Sequence, residues 1–282
     1  MKLTLAIQKT GRLAEDSLEL LRKSGFKFEI TDRSLTFSIN NFPLEIIFLR
    51  ADDIPEIVAD RVADIGICGQ NTVEEKGYKV RELEALGFGK CSLCMAYPEK
   101  QKKVSLSGKR IATSYPRLLG KFLKKQKISA DIVDLSGSVE LSPKLNIADC
   151  ICDLVSTGST LKNNGLVKGE TIFKSEAVFI SNDQISTEKQ ALLDKLLFRI
   201  RAVLTARKYK YIIMNAPRKN LNEIQKCIPG LKKPTIASLF ADTDYVSVAS
   251  VVEEDFFWTT IERLKEVGAS GIIILPIEKM IL

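Results

Sequence analysis

The sequence lacks histidine entirely, and this absence removes several kinds of enzyme chemistry. Without an imidazole there is no Ser-His-Asp triad, no Cys-His pair and no His-ligated zinc site. Any catalytic acid or base must therefore be Asp, Glu, Lys, Tyr or Cys. A metal site built from carboxylates, phosphates and water would suit Mg²⁺.

Long apolar segments are also missing. The longest apolar run lies near residues 272–277, well short of the ~18 residues that a membrane span needs. The apolar stretch at residues 3–7 is soon followed by Lys9 and is too short for a signal peptide. We therefore expect a soluble cytoplasmic protein without a membrane partner.

Cysteine is sparse, with six residues in the chain, and only Cys91 and Cys94 have the C-x-x-C spacing of a metal-binding or redox motif. No second pair completes a four-ligand zinc site, and Cys150 and Cys152 alternate within an apolar stretch. The pattern favours buried free thiols in a reducing compartment.

The net charge of +7 favours anionic partners. The basic residues are scattered apart from a cluster at Lys121, Lys124, Lys125 and Lys127, which suits a solvated helix face, and no basic stripe is interleaved with aromatic side chains. These features indicate small phosphorylated ligands rather than sequence-specific binding of nucleic acid.

Strand and helix patterns alternate through most of the chain, which predicts an α/β fold. The pattern fits a two-lobed body, with a first lobe of residues 1–97 and 176–209 and a second lobe of residues 98–175. Within the body, helices are expected between Gly11 and Gly25, from near Ile54, at 116–126 and 138–144, and from residue 187 to about residue 209. Ligand sites are common in the cleft between two such lobes.

Residues 210–282 follow a different order, βαββαβ, with helices expected at 220–227 and 255–267, and this order is typical of a ferredoxin-like module. Such a small module is well placed to regulate the body, although a fold alone does not give a function.

The strongest local signal for chemistry is the segment from Asp153 to Leu161. An acidic residue near the end of an apolar strand is followed by Ser156, Thr157, Gly158, Ser159 and Thr160. Backbone N–H groups and hydroxyls of such a loop form a phosphate cradle, and a plain capped loop is the alternative. Neither the Walker A nor the Rossmann glycine pattern is present.

Four further segments follow predicted strands, where open α/β sheets bind ligands. Lys9 and Arg12 flank Gly11 and suit a polyphosphate, or are solvated surface charges. Arg50 either binds a phosphate or pairs with Asp52 or Asp53, and one of these aspartates can cap the next helix.

Thr113 or Ser114 can cap the helix that begins at Pro116, while Tyr115 stacks on a base or covers the helix end. Glu140 follows the Ser136-Gly137-Ser138 turn and lies near a predicted helix start. Its alternative role is to stabilise the helix dipole.

The same segments resemble the ATP phosphoribosyltransferase family in its long form. The similarity covers essentially the whole chain, and its most specific part is Ala148-Asp149-Cys150-Ile151-Cys152-Asp153-Leu154-Val155-Ser156-Thr157-Gly158-Ser159-Thr160-Leu161. Residues 7–13, 50–55, 110–116, 137–140 and 275–280 carry the rest of it.

The resemblance implies a body like the type II periplasmic binding proteins and a C-terminal histidine-binding module. The implied activity is phosphoribosyl transfer from phosphoribosyl pyrophosphate to N1 of ATP, with release of pyrophosphate, the first step of histidine biosynthesis. It further implies Mg²⁺, inhibition by histidine and AMP, and hexamers built from dimers.

The resemblance also assigns residues to roles. Catalysis is expected from Lys9, Arg12, Glu140 and Asp153. The phosphoribosyl pyrophosphate site comprises Asp153, Ser156, Thr157, Gly158, Ser159 and Thr160, and Asp153 is the candidate Mg²⁺ ligand. The ATP site comprises Arg50, Gly69, Gln70, Ser114 and Tyr115, and the histidine site comprises Asn215, Ala216, Thr235, Ser250, Val251, Ser270 and Gly271.

Two alternatives from other classes remain at this stage. One is a non-catalytic sensor on the same two-lobed scaffold, which would bind one ligand without turnover. The other is a regulatory subunit that needs a partner, as in the family's short form. The C-terminal module argues against the second alternative.

Overall fold

The computed structural model describes residues 1–30, 34–99, 105–156, 158–228, 230–231, 233–240, 242–254 and 257–282. The chain divides into two compact units, one of Met1–Glu19 with Phe26–Leu193 and the other of Leu20–Gly25 with Asp194–Leu282. None of the helices in the described part of the chain is long and apolar enough to cross a membrane.

The first unit contains eleven strands among its described residues. They are β1 (Leu3–Gln8), β2 (Thr36–Ser38), β3 (Leu44–Leu49), β4 (Ile65–Gly69), β5 (Arg81–Ala85), β6 (Cys91–Pro98), β7 (Arg110–Thr113), β8 (Asp131–Asp134), β9 (Cys150–Val155), β10 (Leu166–Ser175) and β11 (Ala177–Ser181). Its helices are α1 (Arg12–Lys23), α2 (Ile54–Ala59), α3 (Gln70–Lys76), α4 (Pro116–Gln126), α5 (Ser159–Asn163) and α6 (Thr187–Ala206), of which α1 and α6 extend into the second unit.

The two sheets of this unit have the same order over five strands. The first sheet is β2-β3-β1-β4-β11-β5, and the second, read from its other edge, is β8-β7-β9-β6-β10. The five strands of the second sheet correspond to β3-β1-β4-β11-β5 of the first, which has β2 in addition. In each sheet three parallel strands are followed by an antiparallel strand, β11 or β6, that lies at the point where the chain passes between the sheets. The chain therefore crosses twice, which confirms the predicted two-lobed α/β body.

The first sheet is held to α2 by an unusually close approach at Gly66. A Cβ atom at this position would lie 2.6 Å from Cγ2 of Ile54, so only glycine fits here. Ile54 and Val58 are fully buried and form one apolar cluster with Cys68 and Ile180. This packing fixes the carboxyl end of β4, where the chain enters α3.

The C-terminal module has the predicted order. Its elements are β12 (Tyr209–Pro217), α7 (Leu221–Cys227), β13 (Thr235–Leu239), β14 (Asp242–Glu253), α8 (Phe257–Glu266) and β15 (Ser270–Pro276). The strands form an antiparallel sheet in the order β13-β14-β12-β15, as in ferredoxin-like folds. Alternate residues of β12 and β14 build its core with Leu264 of α8.

Some elements differ from the predictions. The helix expected at 138–144 is only the 3₁₀ turn Val139–Leu141, because Ser138 adopts a left-handed backbone (φ 52°) and the chain reverses again at Asn146 (φ 57°). The long helix ends at Ala206 rather than at residue 209. The start predicted for the last helix, residue 255, lies outside the described residues.

Three elements were not predicted, namely α3, β5 and β10. The edge strand β10 contains Gly169, and polar side chains occupy half of its ten positions, so it lacks the apolar alternation of a buried strand. The domain boundaries remain a prediction. The sheets themselves divide before β6, which pairs with β9 and β10.

Candidate functional site

The serine–threonine–glycine loop, residues 156–160, contributes Ser156, Gly158, Ser159 and Thr160 to the wall of a cavity of about 460 Å³ in the two-lobed body. It connects β9 to α5, and Gly158 adopts a positive φ of 80°, which only glycine reaches without strain. Thr157 lies outside the described residues. The predicted site residues that this cavity brings together are Arg12, Glu140, Asp153, Ser156, Gly158, Ser159 and Thr160.

Two carboxylates give this cavity a negative wall. Asp153 is partly buried, and its Oδ1 accepts a hydrogen bond from the N–H of Leu154 at 2.7 Å. Desolvation raises the pKa of Asp153, the charge of Glu140 raises it further, and the Leu154 hydrogen bond opposes both effects. A cation or a ligand hydroxyl group would relieve this unfavourable burial of charge.

Arg12 supplies a positive charge to the same cavity from the other lobe. It opens α1 directly after Gly11, whose φ of 89° turns the chain out of β1. Lys9 is exposed, and its backbone N–H donates to the carbonyl oxygen of Leu49 at 3.0 Å. Among the described residues that line the cavity, Arg12 is present and Lys9 is not.

A buried polar network joins the lobes on the predicted nucleotide side. Nδ2 of Asn71 donates to the hydroxyl oxygen of Tyr115 at 3.3 Å, and the hydroxyl of Ser175 donates to Oδ1 of Asn71 at 2.8 Å. Gly69 precedes α3, and a Cβ there would overlap the Asn71 amide. Burial raises the pKa of Tyr115, and the negative charges of Asp153 and Asp52 add to the effect. Tyr115 is therefore a neutral phenol at neutral pH.

Helix α3 of the first lobe also caps helix α4 of the second. The carboxylate of Glu75 accepts hydrogen bonds from the N–H groups of Arg117 at 2.8 Å and Leu118 at 2.9 Å. Beside it, Glu74 pairs with Lys121 at 2.7 Å. These contacts, here called the α3–α4 clasp, hold the first turn of α4 directly after Ser114 and Tyr115.

The predicted side-chain caps of α2 and α4 are not present among the described residues. Ser114 donates its hydroxyl to the carbonyl oxygen of Leu135 at 2.5 Å, and Thr113 accepts the N–H of Tyr115 at 2.9 Å, so neither caps α4. No side-chain hydrogen bond caps α2 either, although Asp53 stands at its start.

Arg50 is exposed at the end of β3, as predicted from its position in the sequence. It forms no ion pair with either neighbouring aspartate in the described structure, where Asp52 pairs with Lys76 at 3.7 Å. The arginine is thus available to a ligand.

A second cavity, of about 350 Å³, was missed from the sequence. It adjoins the loop cavity, because Val155 and Ser156 line both. Gln70 is the other predicted site residue in its wall, and its side-chain amide donates to Glu82 at 3.1 Å. The cavity brings together Lys90, Lys168 and Lys174, which are separated in sequence. Lys168 and Lys174 lie on the edge strand β10, which was itself not predicted, and Lys90 directly precedes β6.

The seven residues predicted to bind histidine fall into separate groups. Thr235, Ser250 and Val251 line one cavity of about 520 Å³, together with residues 280–282. Asn215 pairs with Ser270 across β12 and β15, next to Gly271. Ala216 is fully buried in the core of the module.

The cysteines behave as the sequence predicted. All six are free thiols, five of them buried and Cys91 half-buried. Desolvation is the main cause that raises the pKa of Cys150 to about 11, so this thiol is protonated and inert at neutral pH.

Comparisons with known proteins match both the body and the C-terminal module. A family model described as ATP phosphoribosyltransferase matches residues 50–202, and a second, described as the HisG C-terminal domain, matches residues 206–279. The chain is 48% identical to an ATP phosphoribosyltransferase from Cytophaga hutchinsonii over 282 residues, which cover 99% of this chain and 98% of the relative. It is also 48% identical to the one from Bacteroides thetaiotaomicron, over 99% of both chains.

The chain belongs to the ATP phosphoribosyltransferase family. A solved structure titled as the ATP phosphoribosyl transferase (HisG:HisZ) complex from Thermotoga maritima has a TM-score of 0.63 at 30% identity. The match covers 98% of that chain and 72% of this one. As a member of this family, the protein is an enzyme of histidine biosynthesis, and its substrates are ATP and phosphoribosyl pyrophosphate.

Proposed function

We propose that the loop cavity binds phosphoribosyl pyrophosphate, with residues 156–160 around its 5-phosphate. The observation that supports this most is the meeting of Arg12, Asp153 and the loop in one cavity. The loop offers hydroxyls and backbone N–H groups to the phosphate. Asp153 and Glu140 face the ribose hydroxyls, while Arg12, together with Lys9, stabilises the charge that develops on pyrophosphate as it leaves.

ATP is proposed to bind on the neighbouring side, against Arg50, Gly69, Gln70, Ser114 and Tyr115. Tyr115 supplies a neutral aromatic surface for the adenine, and Asn71 holds its hydroxyl. Arg50 is exposed and free of the neighbouring aspartates, so it can pair with a phosphate of ATP.

The proposed mechanism needs no strong base. N1 of adenine is an unprotonated lone pair at neutral pH, so attack on C1 of the ribose requires positioning rather than proton abstraction. The bond between C1 and pyrophosphate breaks as the N1–C1 bond forms. The enzyme's task is to hold two polyanions face to face, which is consistent with a chain that contains no histidine.

Mg²⁺ is proposed as the metal ion of the reaction. The described residues contain no group of three or more Asp, Glu or Cys side chains that could hold a metal alone. The pair Asp153 and Glu140 nevertheless suits Mg²⁺, which usually takes one or two carboxylates and completes its shell with substrate phosphates and water. When bound, Mg²⁺ would neutralise charge on the pyrophosphate.

We also propose that histidine and AMP inhibit the enzyme. Its dimers are proposed to assemble into hexamers, and its location is proposed to be cytoplasmic. The C-terminal module leaves apolar side chains exposed on one face of its sheet, among them Ile273 and Leu275, which supports contacts between subunits. Free thiols at all six cysteines support a reducing compartment. The proposed lobes of the body remain residues 1–97 with 176–209 and residues 98–175.

The test of the loop assignment uses Thr160, an exposed residue of the loop cavity. A carboxylate in Thr160→Asp would repel the 5-phosphate, so we expect the Kd for phosphoribosyl pyrophosphate to rise at least about 100-fold. Thr160→Val removes only the hydroxyl and should raise the Kd less than about tenfold. Calorimetric titration measures both values, and equal affinity of Thr160→Asp and wild type would refute the assignment.

A further inference from the structure

We propose that the second cavity binds the polyphosphate chain of a substrate through Lys90, Lys168 and Lys174. This inference rests on the proposed location of the 5-phosphate in the adjoining loop. The cavity is here called the lysine cavity. Three serines, Ser92, Ser156 and Ser175, and the residues Gln70, Cys91, Val155 and Glu176 complete its wall.

Among the described residues, the wall of the lysine cavity holds three lysines against one carboxylate, so its positive charge is only partly balanced. None of its three lysines forms an ion pair in the part of the chain that the structure describes. Glu176 is the one carboxylate in its wall, and its Oε2 already accepts the N–H of Gly87 at 3.0 Å. Three like charges around one concave surface attract an anion strongly.

The sheet places these groups side by side. Lys174 of β10 pairs in register with Ser92 of β6, and Ser92 pairs with Val155 of β9, so the three side chains share one face of the second sheet. Lys168 stands further along the same edge strand, and Lys90 immediately precedes β6. The face ends at Ser156, the first residue of the phosphate loop.

Continuity with the loop cavity identifies the chemistry of the ligand. An anion that spans from residues 156–160 into the lysine cavity carries phosphoryl groups at two separated points. Phosphoribosyl pyrophosphate has such groups, a 5-phosphate and a pyrophosphate on C1. ATP, bound beside it, presents the same polyphosphate chemistry to the lysine cavity through its terminal phosphates. The lysine cavity recognises this shared chemistry, and binding measurements distinguish the two sources.

The experiment measures binding by calorimetry at fixed Mg²⁺ with five ligands: pyrophosphate, ATP, AMP, phosphoribosyl pyrophosphate and ribose 5-phosphate. The variants are Lys90→Ala, Lys168→Ala and Lys174→Ala. Lys125→Ala, which removes an exposed lysine of α4 outside the cavity, controls for the change in net charge. All four positions are exposed, so we expect unchanged melting temperatures.

We expect each cavity variant to bind pyrophosphate about tenfold more weakly than the Lys125→Ala control, and to show a weaker dependence of binding on salt. A parallel loss for ATP, with AMP unchanged, assigns the cavity to the triphosphate. A parallel loss for phosphoribosyl pyrophosphate, with ribose 5-phosphate unchanged, assigns it to the leaving group.

The proposal is overturned if all three variants bind pyrophosphate, ATP and phosphoribosyl pyrophosphate as tightly as the control. If instead the loop assignment is wrong, the result is different. Ribose 5-phosphate would then not compete with phosphoribosyl pyrophosphate for binding to the wild-type protein. The two hypotheses therefore fail separately.

Discussion

Arg12 illustrates how one exposed side chain is tied to function by its position. It opens α1 after a glycine turn and reaches a cavity whose other wall belongs to the second lobe. Its exposure means that folding gains little from it, whereas in the proposed mechanism its guanidinium forms a bidentate pair with the leaving pyrophosphate.

We expect Arg12→Ala to lower kcat/KM by about 100-fold, since it removes a charge that stabilises the transition state. The melting temperature should stay within about 1–2 °C of wild type, because exposed substitutions rarely exceed about 0.5 kcal/mol. Arg12→Lys retains the charge and should recover part of the rate. Steady-state kinetics and thermal melts check this, and a large loss of melting temperature would instead assign Arg12 a structural role.

Asp153 shows the opposite balance between stability and function. Its pKa is raised, mainly by burial, so the charged carboxylate costs folding free energy above its native pKa. This cost disappears as the pH falls below about 4, where the side chain is protonated in both the folded and unfolded states.

We therefore expect Asp153→Asn to raise the melting temperature at pH 7 while it abolishes activity. The gain over wild type should shrink as the pH falls through the raised pKa towards about 4. Asp134→Asn, at the exposed end of β8, is the control for loss of one carboxylate. Melting curves from pH 3.5 to pH 8 decide, and a destabilised Asp153→Asn at pH 7 would contradict the argument.

At the scale of elements, the α3–α4 clasp couples the lobes through a helix terminus. The first N–H groups of a helix have no partner within it, and here Glu75 of the other lobe accepts two of them. Any opening of the body at this point must break both hydrogen bonds. The clasp thus restrains the segment that carries Ser114 and Tyr115.

Glu75→Ala should destabilise the protein by about 1–2 kcal/mol, the usual loss for a helix cap. It should also raise KM for ATP more than KM for phosphoribosyl pyrophosphate, because α4 follows the proposed adenine contact. Glu74→Ala breaks the exposed ion pair with Lys121 and should cost less than about 1 kcal/mol. Hydrogen exchange provides the direct measurement: the amides of Arg117 and Leu118 should exchange faster only in Glu75→Ala.

The same clasp shows how far the sequence predicts this structure. Apolar alternation and glycine turns predicted the buried strands and the C-terminal module correctly, because burial dictates those patterns. Glu75 caps a helix 42 residues away, and β10 lies exposed at an edge of its sheet. Neither leaves a local signal in the sequence. The loop of residues 156–160 was predicted as a phosphate site because its hydroxyl and backbone N–H groups are contiguous in sequence. The lysine cavity was missed because its three lysines are far apart in sequence.

At the scale of the whole molecule, this chain extends beyond its match to the Thermotoga maritima protein, and it carries a C-terminal module, β12 to β15, with a core of its own. That match covers nearly all of the other chain but only 72% of this one. A separate module that recognises the pathway's end product could change the activity of the body, with a coupling of about 1–3 kcal/mol. The cavity of Thr235, Ser250 and Val251 gathers more of the candidate residues than the Asn215 group does.

We expect added histidine to bind the full chain and to inhibit it, and Thr235→Arg to abolish both effects by filling that cavity while catalysis without histidine is retained. Asn215→Ala, in the other group, should bind histidine within about threefold of wild type. Because the chain has no histidine, imidazole signals in NMR spectra of an untagged sample come from the ligand alone. Line broadening of those signals that survives Thr235→Arg but is lost in Asn215→Ala would place the effector at the β12–β15 edge instead.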